Sequence, residues 1–341
     1  MENTLNQIKQ RDYKFDNLRG LLIWTIPISH FTRMGGDFAQ ASLGGLAYIT
    51  INVFVMQAFM FLSGYFSKNV EKARNNSFET FMLPYLFFTV VFYIFRYCYF
   101  GEAKLNFLKP PFALWFLFSA FFYRFFLKDL VKIRHLLPIS LALYIFAGQI
   151  YYLNDDLLAL GRTVSYFPFF LLGYYCSSDR IKKLQQLKIW QTFLLGAALL
   201  GVSYLLAYHV DIPVEFYLLR TTGEALGVVW YADIFMRVVI LLLSCAWILL
   251  MFNLLPNKNN YLAYVGVHTM PIYILHLFFR YYLKKEGFPF TDPIAYYLGI
   301  FGFASLCVVI FSSPPIAKAY DKTLKLIYSG WLKLKKYELK N

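Results

Sequence analysis

The sequence predicts an all-α fold, a polytopic membrane protein of about ten transmembrane helices with both termini in the cytoplasm. Three observations predict it. Hydrophobic residues make up 59% of the 341 and charged residues only 15%, and the mean hydropathy is +0.50. These values hold along the whole chain, which excludes a soluble domain with an attached anchor. Apolar runs near the length that crosses ~30 Å of hydrocarbon recur from one end to the other. The connections between those runs alternate between rich and poor in basic residues, as orientation by cytoplasmic charge requires.

Taken in order, Met1 to Arg11 is polar and leads into the first span with no short apolar core before a small-residue cleavage site, so the first helix is expected to stay in the mature protein. Spans follow near 16–33, 44–66, 78–100, 112–127, 136–152, 163–176, 190–209, 230–252, 262–283 and 294–312. The segments 112–127 and 163–176 are short for a crossing and need tilt, extension into their flanks or burial behind other helices. Connections on one side carry Lys9, Arg11, Lys14 and Arg19; Lys68, Lys72 and Arg74; Lys128, Lys132 and Arg134; Arg180, Lys182, Lys183 and Lys188; Lys258; and seven lysines from Lys318 to Lys340. The alternating connections hold Arg33, Lys104, Lys109, Arg162, Arg220, Lys284 and Lys285, and twenty-two against seven places the first set in the cytoplasm.

The net charge of +14 is thereby mostly topology. No soluble domain carries a basic patch, so no nucleic-acid partner is expected. Residues 1–341 read as one domain, with 10–317 the transmembrane core and 318–341 a basic tail. In the tail Leu324, Leu326, Ile327, Trp331 and Leu332 interleave with the lysines, the pattern of an amphipathic helix on the anionic inner leaflet, so membrane lipids are its expected partner. The connection 207–230 mixes Asp211, Glu215, Arg220 and Glu224 with apolar residues and is long enough to fold as a cap over an outward-facing cavity. Cys98, Cys176, Cys245 and Cys307 lie singly in apolar segments, without the spacing of a disulfide framework or zinc site, and no metal is expected. Aromatic residues reach 21%, partly interface belts and partly flat faces suited to lining a sugar cavity. No internal repeat and no broken helix is legible.

Chemistry enters with the first span. Arg19 and His30 are eleven positions apart on one apolar segment, about three helical turns, so both lie on one face with His30 roughly 16 Å further along the axis. Ionisable groups at membrane depth are costly and mark sites or pathways.

Further pieces follow in order. Asp16-Asn17-Leu18-Arg19-Gly20 precedes His30; Phe59-Met60-Phe61-Leu62-Ser63-Gly64-Tyr65-Phe66 precedes Leu83-Pro84-Tyr85. Leu114-Trp115-Phe116-Leu117, Gly161-Arg162, Phe167-Pro168-Phe169-Phe170-Leu171-Leu172-Gly173-Tyr174 and Ile272-Tyr273-Ile274-Leu275-His276 come after them. In this order and spacing the pieces resemble, along the whole chain, the acyltransferase 3 family of integral membrane acyltransferases, near its fucose 4-O-acetylase-like members. Where that family often carries Arg-x-x-Arg after the Ser-Gly motif, this chain has Lys72 and Arg74. No esterase-like domain is legible after the last helix, so a single-domain member is expected.

The resemblance implies a bacterial cytoplasmic-membrane enzyme. It would carry an acyl group, commonly acetyl, from cytoplasmic acetyl-CoA to a hydroxyl of a surface polysaccharide or its lipid-linked sugar precursor. His30 is then the catalytic residue, since histidine titrates near working pH. Arg19 meets the CoA phosphates or pairs with Asp16 to fix the helix end. Lys68, Lys72 and Arg74 add charge for those phosphates, or serve topology alone. Trp115, Arg162 and His276 contact the acceptor, with an aromatic belt, an interfacial snorkel and helix packing as the respective alternatives. His268 reads as structural, and His135 and His209 as loop ends. Ser63-Gly64 reads as a close-packing site, and adjacent Asp155-Asp156 as a solvated loop. A glycan or lipid transporter explains buried charge equally well but calls for inverted repeats and broken helices, and a non-catalytic subunit of a glycan synthase would tolerate replacement of His30.

Overall fold

The computed structural model describes residues 11–34, 38–154, 157–290 and 292–338, and no strand occurs among them. The helices are α1 (Tyr13–Phe31), α2 (Leu43–Asn52), α3 (Val55–Tyr65), α4 (Val70–Ser77), α5 (Leu83–Phe100), α6 (Trp115–Leu130), α7 (Leu136–Phe146) and α8 (Leu160–Tyr175). They continue with α9 (Ser178–Leu184), α10 (Ile189–Tyr208), α11 (Trp230–Leu254), α12 (Tyr261–Val267), α13 (Thr269–Glu286), α14 (Pro293–Ser312) and α15 (Pro314–Glu338). Each predicted span coincides with helix. By length and apolar composition, however, six helical stretches among the described residues suit a membrane crossing, or seven if α12 and α13 form one span. The difference lies in three elements: α1 holds Lys14, Asp16 and Arg19, α6 has 16 residues, and α7 has 11. The Asp155-Asp156 pair lies outside the described residues, as do the chain ends.

Helix α1 packs closely against the short α12 and also touches α2, α3, α13 and α14. Small residues allow this approach. A Cβ on Gly20 would stand 2.0 Å from the Leu262 carbonyl oxygen, and one on Gly266 would stand 1.8 Å from that of Asp16. Helices α3 and α8 meet the same way, with Gly64 against Phe170 O and Gly173 against Phe61 O. Such backbone-to-backbone seams hold helices together where lipid supplies no hydrophobic drive. Gly64→Val is therefore expected to force α3 off α8 and destabilise the protein by about 1–3 kcal/mol or more. Thermal unfolding in detergent checks this, and an unchanged midpoint would refute the seam. Toward the outside, α10 and α14 present Phe193, Leu194, Leu298 and Phe301, the apolar faces of helices with lipid for neighbours.

Two prolines shape the interior. Pro84 has no N–H to offer the Thr80 carbonyl, and the turn before it, Phe78–Met82, widens to π-helical geometry. Pro271 likewise cannot bond back to Val267, and α12 and α13 meet at 81°. This is a broken helix, which the sequence reading does not find because Pro271 lies within a continuous apolar run. At the break, the His268 ring bonds to the Tyr264 carbonyl at 2.9 Å, a structural role.

The connection between α10 and α11 is folded. It holds two 3-10 turns, Val214–Leu218 and Glu224–Leu226, of which the first buries Phe216 and Tyr217. Arg33, just beyond α1, pairs with Glu215 at 2.7 Å. Helix α15 runs beside the α4–α5 junction, with Tyr320 stacked near Phe88 and Trp331 on Phe78.

Candidate active site

Three cavities adjoin through shared walls. One of about 240 Å³ is bounded by Arg19, Ser63, Phe66, Phe81 and Arg124. A second, of about 80 Å³, is bounded by Ser29, His30, Asn52, Trp115, Arg162 and Tyr166. Met56 and Tyr273 belong to both. A third, about 340 Å³, lies between α15, the start of α13 and the π-helical turn, and shares Thr80 and Met270 with the Arg19 cavity.

The Arg19 cavity takes its charge from two helices. Arg19 Nη1 is 3.6 Å from Asp16 on the preceding turn of α1, and its guanidinium lies 4.7 Å over Phe66. Asp16 also accepts from Arg11 Nε at 2.8 Å, so one carboxylate serves two guanidiniums. Across the cavity Arg124 of α6 lies 5.0 Å over the Phe81 ring and 3.5 Å from the Ser63 carbonyl oxygen. Its Nε is buried with no hydrogen-bond partner among the described residues. The result is a positive chamber with fork-shaped donors that match planar or phosphate anions. Arg124 is absent from the sequence-predicted site, although the rule that selects His30, an ionisable side chain within an apolar run, selects it too.

In the second cavity His30 Nδ1 is 2.7 Å from His276 Nε2, and His276 Nδ1 is 2.8 Å from the Ile272 carbonyl oxygen. The network assigns the protons. A carbonyl only accepts, so neutral His276 carries its hydrogen on Nδ1 and accepts at Nε2. His30 must then donate from Nδ1, which leaves its Nε2 unprotonated. A ring held at one nitrogen with a lone pair at the other is the arrangement of an oriented general base. His276 is fully buried, behind His30 rather than on the cavity wall. Phe112 packs edge-on to His30, with ring centres 4.9 Å apart, and carries the Arg280 guanidinium 3.6 Å over its own ring. Asn52, at the break between α2 and α3, donates to Ser29 Oγ at 2.9 Å. Arg162 lies 4.9 Å over Trp115, which packs on Tyr166. Tyr166 donates to the Leu218 carbonyl, so the folded α10–α11 connection closes this cavity.

The other predicted cations are elsewhere. Lys68 Nζ donates to the carbonyls of Gly173, Tyr174 and Cys176, capping the end of α8. Arg74 donates to the Phe125 carbonyl and pairs with Asp129 on α6, and Lys72 is exposed on α4. None of the three lines the Arg19 cavity. The structure thus brings His30, Trp115 and Arg162 together with His276 behind them, and holds Arg19 and Asp16 in or beside the adjoining chamber.

Residues 12–313 match the acyltransferase domain of acyltransferase family 3. The chain belongs to the acyltransferase 3 family. No curated protein and no solved structure matches it. The matched stretch takes in every wall residue of the Arg19 and His30 cavities, whereas the α15 wall of the third cavity lies beyond it. This acyltransferase 3 protein is a membrane acyltransferase, and its two inner cavities meet the needs of group transfer. One is lined by two guanidiniums and the other by an imidazole with an unprotonated nitrogen.

Proposed function

We propose that the protein is an O-acetyltransferase that moves acetyl from cytoplasmic acetyl-CoA to a hydroxyl of a bacterial surface polysaccharide or its lipid-linked precursor. The observation that carries this reading is the His30–His276 bond, which sets an unprotonated imidazole nitrogen at a cavity adjoining a chamber with two guanidiniums. The basic bias of the connections turns the Arg19 side toward the cytoplasm, where CoA resides. Arg19 and Arg124 then meet donor phosphates or the thioester oxygen. Asn52, Ser29 and Arg162 suit the hydroxyls of a sugar. The acceptor hydroxyl gives its proton to His30 Nε2 as its oxygen bonds to the thioester carbonyl carbon. The carbon–sulfur bond breaks, and the thiolate takes the proton to leave as CoA thiol.

The broken α12–α13 pair also fits a glycan or lipid transporter, which would move an acceptor without acetylating it. One experiment separates the two. The O-acetyl content of surface glycan is measured by NMR in cells lacking the protein and in cells complemented with it. The expected result is loss of acetyl signals on deletion and their return with the wild type. Full acetylation in the deletion strain would overturn the reading for that glycan.

A further inference from the structure

The donor chamber and the base chamber are separate spaces, and among the described residues the only wall residues common to both are Met56 and Tyr273. The two differ in freedom. The Tyr273 phenol donates to the Ala113 carbonyl, its ring packs 5.7 Å from that of Phe116, and the residue is 5% exposed. Hydrogen-bonded and enclosed, it is a fixed post. Met56 stands in the first turn of α3, just past the break after α2, and is only half-buried because it faces open space. Its side chain is unbranched, polarizable and carries no hydrogen bond to hold it.

For transfer, the thioester carbonyl must come from the Arg19 side to a hydroxyl held at His30, so the reacting carbon passes this partition. The acyl tail beyond the carbonyl must then lodge against the partition's movable half. The base chamber is small, about 80 Å³, and must also admit the acceptor hydroxyl. A methyl tail asks little of Met56, whereas each further methylene needs the volume that the thioether occupies.

We propose that Met56 is the specificity-determining residue that restricts the donor to short acyl groups, with Tyr273 as the immobile side of the slot. This rests on the acyl-CoA reading above and deepens it. Shape selection of this kind discriminates one methylene by roughly 10–200-fold, enough to set the modification a glycan carries.

The test uses membranes containing the full chain, glycan acceptor prepared from the deletion strain, and acetyl-, propionyl- and butyryl-CoA as donors. The readout is the ratio of butyryl to acetyl transfer, which is internal to each variant and independent of how much protein folds. The wild type is expected to favour acetyl. Met56→Ala is expected to raise the ratio by ~10-fold or more, Met56→Val by less, and volume-matched Met56→Leu to keep it. A ratio unmoved in both smaller variants would overturn the assignment, as would a wild type that uses butyryl and acetyl equally well. If the wild type transfers acyl from none of the three donors, the acyl-CoA reading itself falls and the slot with it.

Discussion

Alanine in place of His30 is expected to slow acyl transfer by ~10²–10⁴-fold, the range that a positioned general base contributes, with the variant still extracted from membranes as a monodisperse protein. The partner should matter almost as much. His276 touches His30 and a carbonyl rather than the cavity, so it acts by fixing the tautomer and direction of the His30 ring. His276→Leu removes the acceptor at His30 Nδ1 and frees the ring to turn or to move its proton to Nε2, where it can no longer take one. His276→Gln offers an amide oxygen to the same N–H and is expected to retain more activity than the leucine variant. Because the two imidazoles act as a unit, the His30→Ala/His276→Leu double variant should be no slower than His30→Ala alone. Initial rates in vesicles with labelled acetyl-CoA decide the matter. Losses that multiply in the double variant would show that His276 acts elsewhere, and an unimpaired His30→Ala would remove the pair from the mechanism.

What was legible in advance follows from how local each signal is. Arg19 and His30 share one helix, so helical periodicity alone sets them on one face about three turns apart, and the two cavities divide them as that spacing implies. The partner of His30 lies 246 positions away, and nothing in the run Ile272–His276 says which imidazole it will meet. Arg124 was readable as a charge inside an apolar run. Its cavity was not, because a wall is made by helices distant in sequence. Lys68 and Arg74 show the opposite case. Their charge and position suit an anion site, but the bare carbonyls ending α8 and the Asp129 carboxylate lie closer and take them. The ten apolar runs all became helix, yet α1 is surrounded by other helices, and hydropathy does not tell a helix wrapped by protein from one facing lipid. The fold of the α10–α11 connection was suggested by its mixed composition, whereas the buried Asp233–Arg237 ion pair of α11, whose guanidinium reaches the Thr221 carbonyl of that connection, was not.

The Asp233–Arg237 pair should contribute strongly to stability. Asp233 and Arg237 are 0% and 2% exposed and bonded at 2.7 Å across one turn of α11. Gln149 donates to the second carboxylate oxygen at 2.6 Å, and the guanidinium also reaches Ser165 Oγ and the carbonyls of Tyr144 and Thr221. Two glycines make room for it, since a Cβ on Gly148 or Gly223 would fall 1.6 Å or 2.7 Å from Asp233 atoms. Asp233→Ala leaves a guanidinium buried without its counter-charge, which costs about 3–5 kcal/mol. Asp233→Ala with Arg237→Met removes both charges and should recover much of that loss, because an apolar pair in the same space avoids the desolvation penalty. The consequence reaches the site. Thr221 belongs to the connection whose Leu218 closes the His30 cavity, and Ser165 adjoins Tyr166 on its wall. The single variant is thus expected to unfold at markedly lower temperature in detergent and to lose acyl transfer first on warming, with the double variant nearer the wild type in both. A single variant that melts with the wild type would mean that water reaches the pair and that the connection is anchored by its apolar residues, Phe216 and Tyr217, instead.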